Sequence, residues 1–63
     1  MVSQAELSSL QTVIRELSER ITAAADELVG TSDESVAIDL YEVERSLRIA
    51  QRRIIKATEG LDS

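Results

Sequence analysis

The residues best suited to chemistry in this chain are basic and lie close together in its second half. Five of the seven basic residues fall within twelve positions; they are Arg45, Arg48, Arg52, Arg53 and Lys56. Guanidinium groups at this density are a common electrostatic footprint of phosphate binding. The whole chain, however, carries a net charge of −5, and Tyr41 is its only aromatic residue on which a base could stack,. We therefore expect nucleic-acid binding to be the less favoured use of this cluster.

Large apolar side chains accompany the basic residues at helical spacing. Together they form a row along the outer side of a predicted second helix, which we call the helix-two stripe. Its members are Ile38, Tyr41, Arg45, Arg48, Ile49, Arg52 and Ile55. Tyrosine and arginine are enriched at the energetic centres of protein–protein interfaces, and an exposed apolar row needs a covering surface. The stripe is our predicted partner-binding site; contact with neighbouring helices of the same assembly is the alternative.

Catalytic and metal chemistry has little to build on. The chain contains no His and no Cys, which removes the commonest general base, the usual zinc ligands and any disulfide,. Two acidic pairs, Asp26 with Glu27 and Asp33 with Glu34, flank a predicted turn without the spacing of a calcium-binding loop,. We predict a protein without catalytic activity, cofactor or metal site.

Apolar residues recur at alternating spacings of three and four along two segments, an a/d heptad pattern typical of knobs-into-holes packing,. The pattern predicts a first helix over about residues 3–29, a turn at about residues 30–32 and a second helix over about residues 32–59. No polar residue interrupts either predicted seam. The seam residues are Leu7, Leu10, Ile14, Leu17, Ile21 and Leu28 in the first helix, and Leu40, Val43, Leu47 and Ile54 in the second.

Local signals mark the ends of both segments. Ser3 and Thr31 each precede a glutamate by three residues, which is the form of a capping box at the start of a helix,. Gly30 and Gly60 stand where the two helices are expected to end,. These signals support two helices joined by a tight turn.

The two seams come into register when the chain folds back at Gly30. Leu17 then faces Leu47 in the central layer, and each seam alanine faces a larger side chain,. The sequence predicts an all-α fold, an antiparallel helical hairpin that forms a single domain over residues 1–63. Because domains of about 60 residues bury little surface, we expect two hairpins to pair into a homodimeric four-helix bundle. A hairpin that completes the bundle of another protein is the alternative.

This predicted architecture is similar to that of the Rop-like plasmid copy-number proteins, which are homodimers of helical hairpins. The likeness is one of architecture, and no motif is shared residue by residue. Our first hypothesis for function is a small interaction module, such as a regulator, adaptor or assembly factor, that docks a partner protein through the helix-two stripe. The second is a Rop-like binder of structured RNA or DNA, and the third is a structural subunit of a larger complex.

The apolar runs of the chain are short. None exceeds three residues, against the roughly 20 that span a bilayer, and the first residues have neither the basic nor the apolar part of a signal peptide,. Six arginines stand against one lysine, a balance that fits a GC-rich bacterial genome. We therefore expect an acidic cytoplasmic protein of a bacterium, with no membrane partner.

Overall fold

Two long helices and one short connection make up the structure, a computed structural model that describes residues 1–61. Helix α1 spans Gln4–Leu28 and helix α2 spans Glu34–Leu61. The helices pack against each other as a hairpin, whose extents are 49 × 15 × 14 Å. The predicted all-helical hairpin is confirmed.

The start of α1 follows the sequence signal. Ser3 has an extended backbone, with φ −108° and ψ 164°, and its Oγ accepts a hydrogen bond from the N–H of Glu6 at 3.1 Å. The carbonyl of Ser3 also accepts from the N–H of Leu7 at 3.1 Å. The hydroxyl thus pairs one of the N–H groups that the first turn of a helix leaves without a partner.

The connection reverses the chain through a turn with the dihedral angles of a type II β-turn. Val29 has φ −64° and ψ 131°, and Gly30 follows with φ +80°. The N–H of Thr31 donates to the carbonyl of Leu28 at 3.2 Å and closes the turn. Since the second central position of such a turn requires a positive φ, a residue with a Cβ would be strained there. Gly30 therefore reverses the chain as predicted.

Thr31 lies in a turn before α2. It is not the N-terminal cap of this helix, which its spacing from Glu34 predicts. Its hydroxyl donates to the carbonyl of Leu28 at 2.6 Å and accepts from the N–H of Asp33 at 3.1 Å. The N–H of Glu34 donates to the Thr31 carbonyl at 3.2 Å. These bonds form a separate turn before the helix, so α2 begins at Glu34, later than predicted.

The prediction that Gly60 ends the second helix is wrong. Helix α2 runs through Gly60 to Leu61, and among the described residues Gly30 is the only glycine with a positive φ. The apolar spacing of the seam continues to Leu61, and this periodic pattern outweighs the modest cost of about 1 kcal/mol that glycine has inside a helix,.

The face that each helix turns towards the other is rotated from the predicted seam. Residues of reduced exposure are Leu7, Gln11, Ile14, Ser18, Ile21, Thr22, Ala25 and Leu28 in α1, and Ala37, Leu40, Glu44, Leu47, Gln51, Ile54 and Thr58 in α2. Three predicted seam residues lie at the margin of this interface: Leu10, Leu17 and Val43 are 40%, 40% and 44% exposed. In the expected central layer, Leu17 is therefore more exposed than its predicted partner Leu47.

Small side chains account for this rotation. Ser18, Ala25 and Ala37 are the buried residues of the described chain, at 7%, 0% and 0% exposure. Short side chains allow two helix backbones to approach closely, and the larger leucines and isoleucines then pack beside them. The a/d seam of each helix consequently points between the neighbouring helix and open solvent.

Candidate interaction surfaces

One long side of the hairpin is apolar and open to solvent. Leu17 directly precedes the interface residue Ser18, and Val43 directly precedes Glu44. One step back along a helix is a rotation of about 100° about its axis. Because α1 and α2 run in opposite directions, this rotation turns the row of residues that contains Leu17 and the row that contains Val43 towards the same side of the hairpin. We call this side the apolar face; its exposed residues are Leu10, Leu17, Ala24, Val36, Val43, Ala50 and Ala57.

The large side chains of the apolar face are exposed over nearly half of their surface. Val36 is 46% exposed, and Val43 and Leu17 are close to that value at 44% and 40%. In the part of the chain that the structure describes, no large side chain is fully buried. Exposed apolar patches are typical of interaction sites, which makes this face a candidate interaction surface.

Hydrogen bonds between side chains link the helices along the other side of their interface. Gln11 Nε2 donates to Thr58 Oγ1 at 2.9 Å, and Ser18 Oγ donates to Glu44 Oε1 at 3.4 Å. The prediction that no polar residue interrupts the seam therefore does not hold for the interface within the hairpin. Pairing of these groups removes the cost that an unpaired polar group would have there.

Tyr41 reaches from α2 to α1 near the turn. Its hydroxyl donates to Asp26 Oδ1 at 2.5 Å. This hydrogen bond, together with desolvation and the negative charge of Asp26, raises the pKa of the Tyr41 phenol above its ordinary value of 10.0. Asp26 lies at the negative end of the α1 dipole, where a carboxylate is unfavourable, and the phenol gives it a partner. Sequence reasoning missed this pair.

The raised pKa predicts a specific loss of stability in alkali. A group whose pKa is higher in the folded state stabilises the fold below its unfolded pKa, and this contribution is lost as the pH rises through the folded pKa. Tyr41 is the only aromatic residue, so ultraviolet absorbance of the phenolate reports it alone. We expect its midpoint above pH 10 in the folded chain and at about 10 after unfolding.

Two variants test the origin of that shift. Asp26→Asn removes the carboxylate charge and should return the midpoint of Tyr41 towards its ordinary value. Tyr41→Phe should remove this contribution to the alkaline loss of helicity, measured by circular dichroism. A folded wild-type midpoint at or below that of the unfolded chain would show that the hydrogen bond does not persist in solution.

The helix-two stripe is exposed along its whole length. Ile38, Ile49 and Ile55 are 60%, 53% and 39% exposed, and Tyr41 is 36% exposed despite its bond to α1. The arginines of the stripe are exposed as well. The structure gathers four members around a shallow cleft of about 460 Å³, whose lining is Arg45, Arg48, Ile49, Gln51 and Arg52. Gln51 was not among the predicted residues, because its heptad position gave it neither an apolar nor a charged signal.

One of the three cleft arginines already has a partner. Arg48 Nε donates to Glu44 Oε1, the oxygen that also accepts from Ser18. The Arg48 side chain is 71% exposed and that of Glu44 is 12% exposed. The guanidinium therefore lies on the solvent side of a carboxylate that is itself largely buried. Within residues 1–61 this is the only ion pair. Arg45 and Arg52 therefore keep their charges available to a ligand.

Two kinds of feature were not found among residues 1–61, a cluster of metal ligands and a membrane-spanning helix. Over residues 1–61 no three potential acidic, histidine or cysteine ligands converge on a point that could hold a metal ion. In the same range, neither helix combines the length and apolar character needed to cross a membrane.

Comparison with known proteins identifies no relative: no protein-family model, no curated protein and no solved structure matches the chain. Conclusions about function therefore depend on the two surfaces themselves, the apolar face and the helix-two stripe.

Proposed function

We propose that the chain is a small non-catalytic interaction module that pairs with a second copy through the apolar face and binds a partner protein through the helix-two stripe. The observation that carries the proposal is the separation of these two surfaces. The apolar face extends to one side of the hairpin, whereas Tyr41 bonds to Asp26 on the other side and the remaining stripe faces outwards from α2. Occupation of one surface therefore leaves the other accessible.

The oblique direction of the seams supports pairing. In a four-helix bundle each helix has two neighbours, and its a/d residues point between them. Leu7, Ile14 and Leu47 are only half-buried in the hairpin, while Leu17 and Val43 are exposed beside them. A second hairpin on the apolar face would cover both sets and supply the apolar burial that a chain of this size lacks.

The composition of the stripe indicates the chemistry of the partner. Ile49 lies between Arg45 and Arg52 around the cleft, and both arginines are without an ion pair in the described chain. A surface that offers carboxylates on either side of an apolar side chain would satisfy all three residues. Arginine in such a setting gives strong, geometrically specific bonds to carboxylates. We therefore propose that the helix-two stripe binds an acidic surface of the partner protein.

Charges around the stripe favour protein over nucleic acid. A second cleft of about 360 Å³ adjoins the stripe between the helices, and Glu19 and Glu44 line it together with Arg15 and Arg48. A phosphate backbone carries a charge at every nucleotide and would have to pass these carboxylates, whereas a protein surface can place its acidic residues at Arg45 and Arg52 alone. Binding of RNA or DNA is accordingly an outcome for the experiment to detect, not the function that we assign.

The test compares partner capture by matched variants. The tagged protein is incubated with an extract of its source cells, the captured protein is identified by mass spectrometry, and its affinity is then measured with purified components. We expect Ile49→Ala combined with Arg52→Ala to weaken this affinity by about 30-fold or more, equivalent to about 2 kcal/mol. Glu16→Ala, on the exposed outer side of α1, is the control and should bind as the wild type does.

Two results would contradict the assignment. Equal binding by the stripe variant and the control would show that the stripe is not the docking surface. Capture that disappears after nuclease treatment, and that falls steeply with salt, would show a nucleic-acid ligand instead. Melting curves of all variants should coincide with that of the wild type, since the exchanged side chains are exposed.

A further inference from the structure

Charge is distributed along the hairpin in two blocks of opposite sign. Residues 21–44, which surround the turn, contain seven acidic residues and no basic one. Residues 45–56 of α2 contain five basic residues and no acidic one. Since α1 and α2 lie side by side, the turn end of the hairpin is strongly negative, and the adjoining stretch of α2 is strongly positive.

Two symmetric arrangements are open to a pair of hairpins that meet through the apolar face. With a two-fold axis parallel to the helices, both turns lie at the same end and α1 packs beside the partner's α2. With a two-fold axis perpendicular to the helices, the turns lie at opposite ends and each helix packs beside its own copy. Both arrangements give antiparallel neighbours, so packing direction alone does not choose between them.

We infer that the second copy docks on the apolar face with its turn at the opposite end, so that the acidic first part of α2 in each copy, residues 34–44, lies along the basic block of the other. The inference rests on the proposed homodimer and adds its arrangement. The same-end alternative would place two acidic turn ends together. Like charges in such a contact repel, and complementary ones set the orientation of partners.

The edge of the apolar face on α2 fits this arrangement in detail. Asp39 and Arg53 lie seven residues to either side of Ser46, at the same heptad position, and both are exposed without an ion pair in the described chain. A two-fold axis at Ser46 puts Asp39 level with the partner's Arg53, twice in each dimer. Charges at the flanks of heptad seams are known to fix orientation in this way. On the α1 edge Glu6 approaches the partner's Glu27, so the attraction comes from the α2 edge.

Side-chain volumes on the apolar face fit as well. An axis within half a residue of Ser46 sets larger residues against smaller ones on either side of the central Leu17, which meets its own copy; this alternation fills a core without voids. The pairs are Leu10 with the partner's Ala24, Val36 with the partner's Ala57, and Val43 with the partner's Ala50. The two rows are centred at similar levels, since the hydrogen bond from Ser18 to Glu44 places Leu17, the centre of the α1 row, near the level of Ser46,.

A distance measurement between the two turns tests the arrangement. The chain has no cysteine, so Ser32→Cys carries a single spin label at an exposed position of the turn. In the opposite-end dimer the two labels lie about 40 Å apart, from the rise of 1.5 Å per residue on each side of Ser46. In a same-end dimer they lie within roughly 20 Å, the width of two hairpins.

Each outcome is decisive. A long distance, with Asp39→Arg weakening the dimer about tenfold and Asp39→Arg combined with Arg53→Asp restoring it, supports the inference. A short distance overturns the arrangement and leaves the proposed homodimer intact. Absence of dipolar coupling together with a monomeric mass overturns both.

Discussion

Leu17→Glu is expected to leave the protein monomeric at concentrations where the wild-type chain forms a dimer. Leu17 is 40% exposed in the single hairpin, which leaves a carboxylate there room to reach water. In the inferred opposite-end dimer the same position is the centre of the interface, where Leu17 meets the partner's Leu17. Burying two carboxylates against each other costs several kcal/mol, which shifts the equilibrium towards the monomer.

Sedimentation and thermal unfolding at several protein concentrations measure this effect. The melting temperature of the wild type should rise with concentration, because association stabilises the folded chain, and that of Leu17→Glu should not. Ser9→Glu, on the exposed outer side of α1, is the matched control and should behave as the wild type does. A wild-type melting temperature that is independent of concentration would contradict self-association through the apolar face.

The second large effect is expected inside the hairpin, at Ala25. Ala25 and Ala37 are both 0% exposed, in the part of the interface nearest the turn. Ala25→Leu adds three carbon atoms where the helices approach closely, and overpacking of this kind costs about 1–3 kcal/mol. The helices must move apart locally, which would also lengthen the hydrogen bond between Tyr41 and Asp26.

Ala23→Leu provides the control for this change, since it adds the same atoms two residues away at an exposed position. Unfolding by denaturant should give a lower free energy of unfolding for Ala25→Leu and nearly the wild-type value for Ala23→Leu. Tyr41 absorbance should titrate at lower pH in Ala25→Leu than in Ala23→Leu. Equal stability of the two variants would show that close helix approach does not depend on Ala25.

Local signals were sufficient for much of the fold. Ser3 starts α1 because its hydroxyl pairs with the N–H of Glu6, an interaction that depends only on three neighbouring residues. Gly30 reverses the chain because its φ of +80° is costly for other residues,. Gly60 has the same identity but lies within a continuing apolar repeat, and the repeat decides its conformation.

Rotation of the helices could not be read from the heptads. An a/d repeat shows which stripe of a helix avoids water, but it does not say whether one neighbour or two will cover that stripe. In the structure Ser18, Ala25 and Ala37 are buried between the helices, and their small side chains allow close approach beside the seam. Heptad pattern alone gave these residues a flanking position, since none of them is large and apolar.

Some features of the candidate surfaces could be predicted from the sequence, and others could not. Outward heptad positions correctly predict that Ile38, Ile49 and Arg52 are exposed, because exposure follows from the period of the helix,. The bond between Tyr41 and Asp26 depends on how the turn aligns the two helices, which is a property of the tertiary structure. The ion pair of Arg48 with Glu44 follows from helix geometry, since the two residues are four apart on one helix,.

The lack of a fully buried large side chain in residues 1–61 has a consequence for the abundance of the protein in the cell. In the proposed dimer most apolar burial arises on association, so the folded fraction depends on total concentration. Proteases act on the unfolded fraction of a chain. Newly made copies would therefore be degraded quickly while they are scarce and would persist once enough of them accumulate. The rate of degradation would then fall sharply once synthesis of the protein exceeds a threshold.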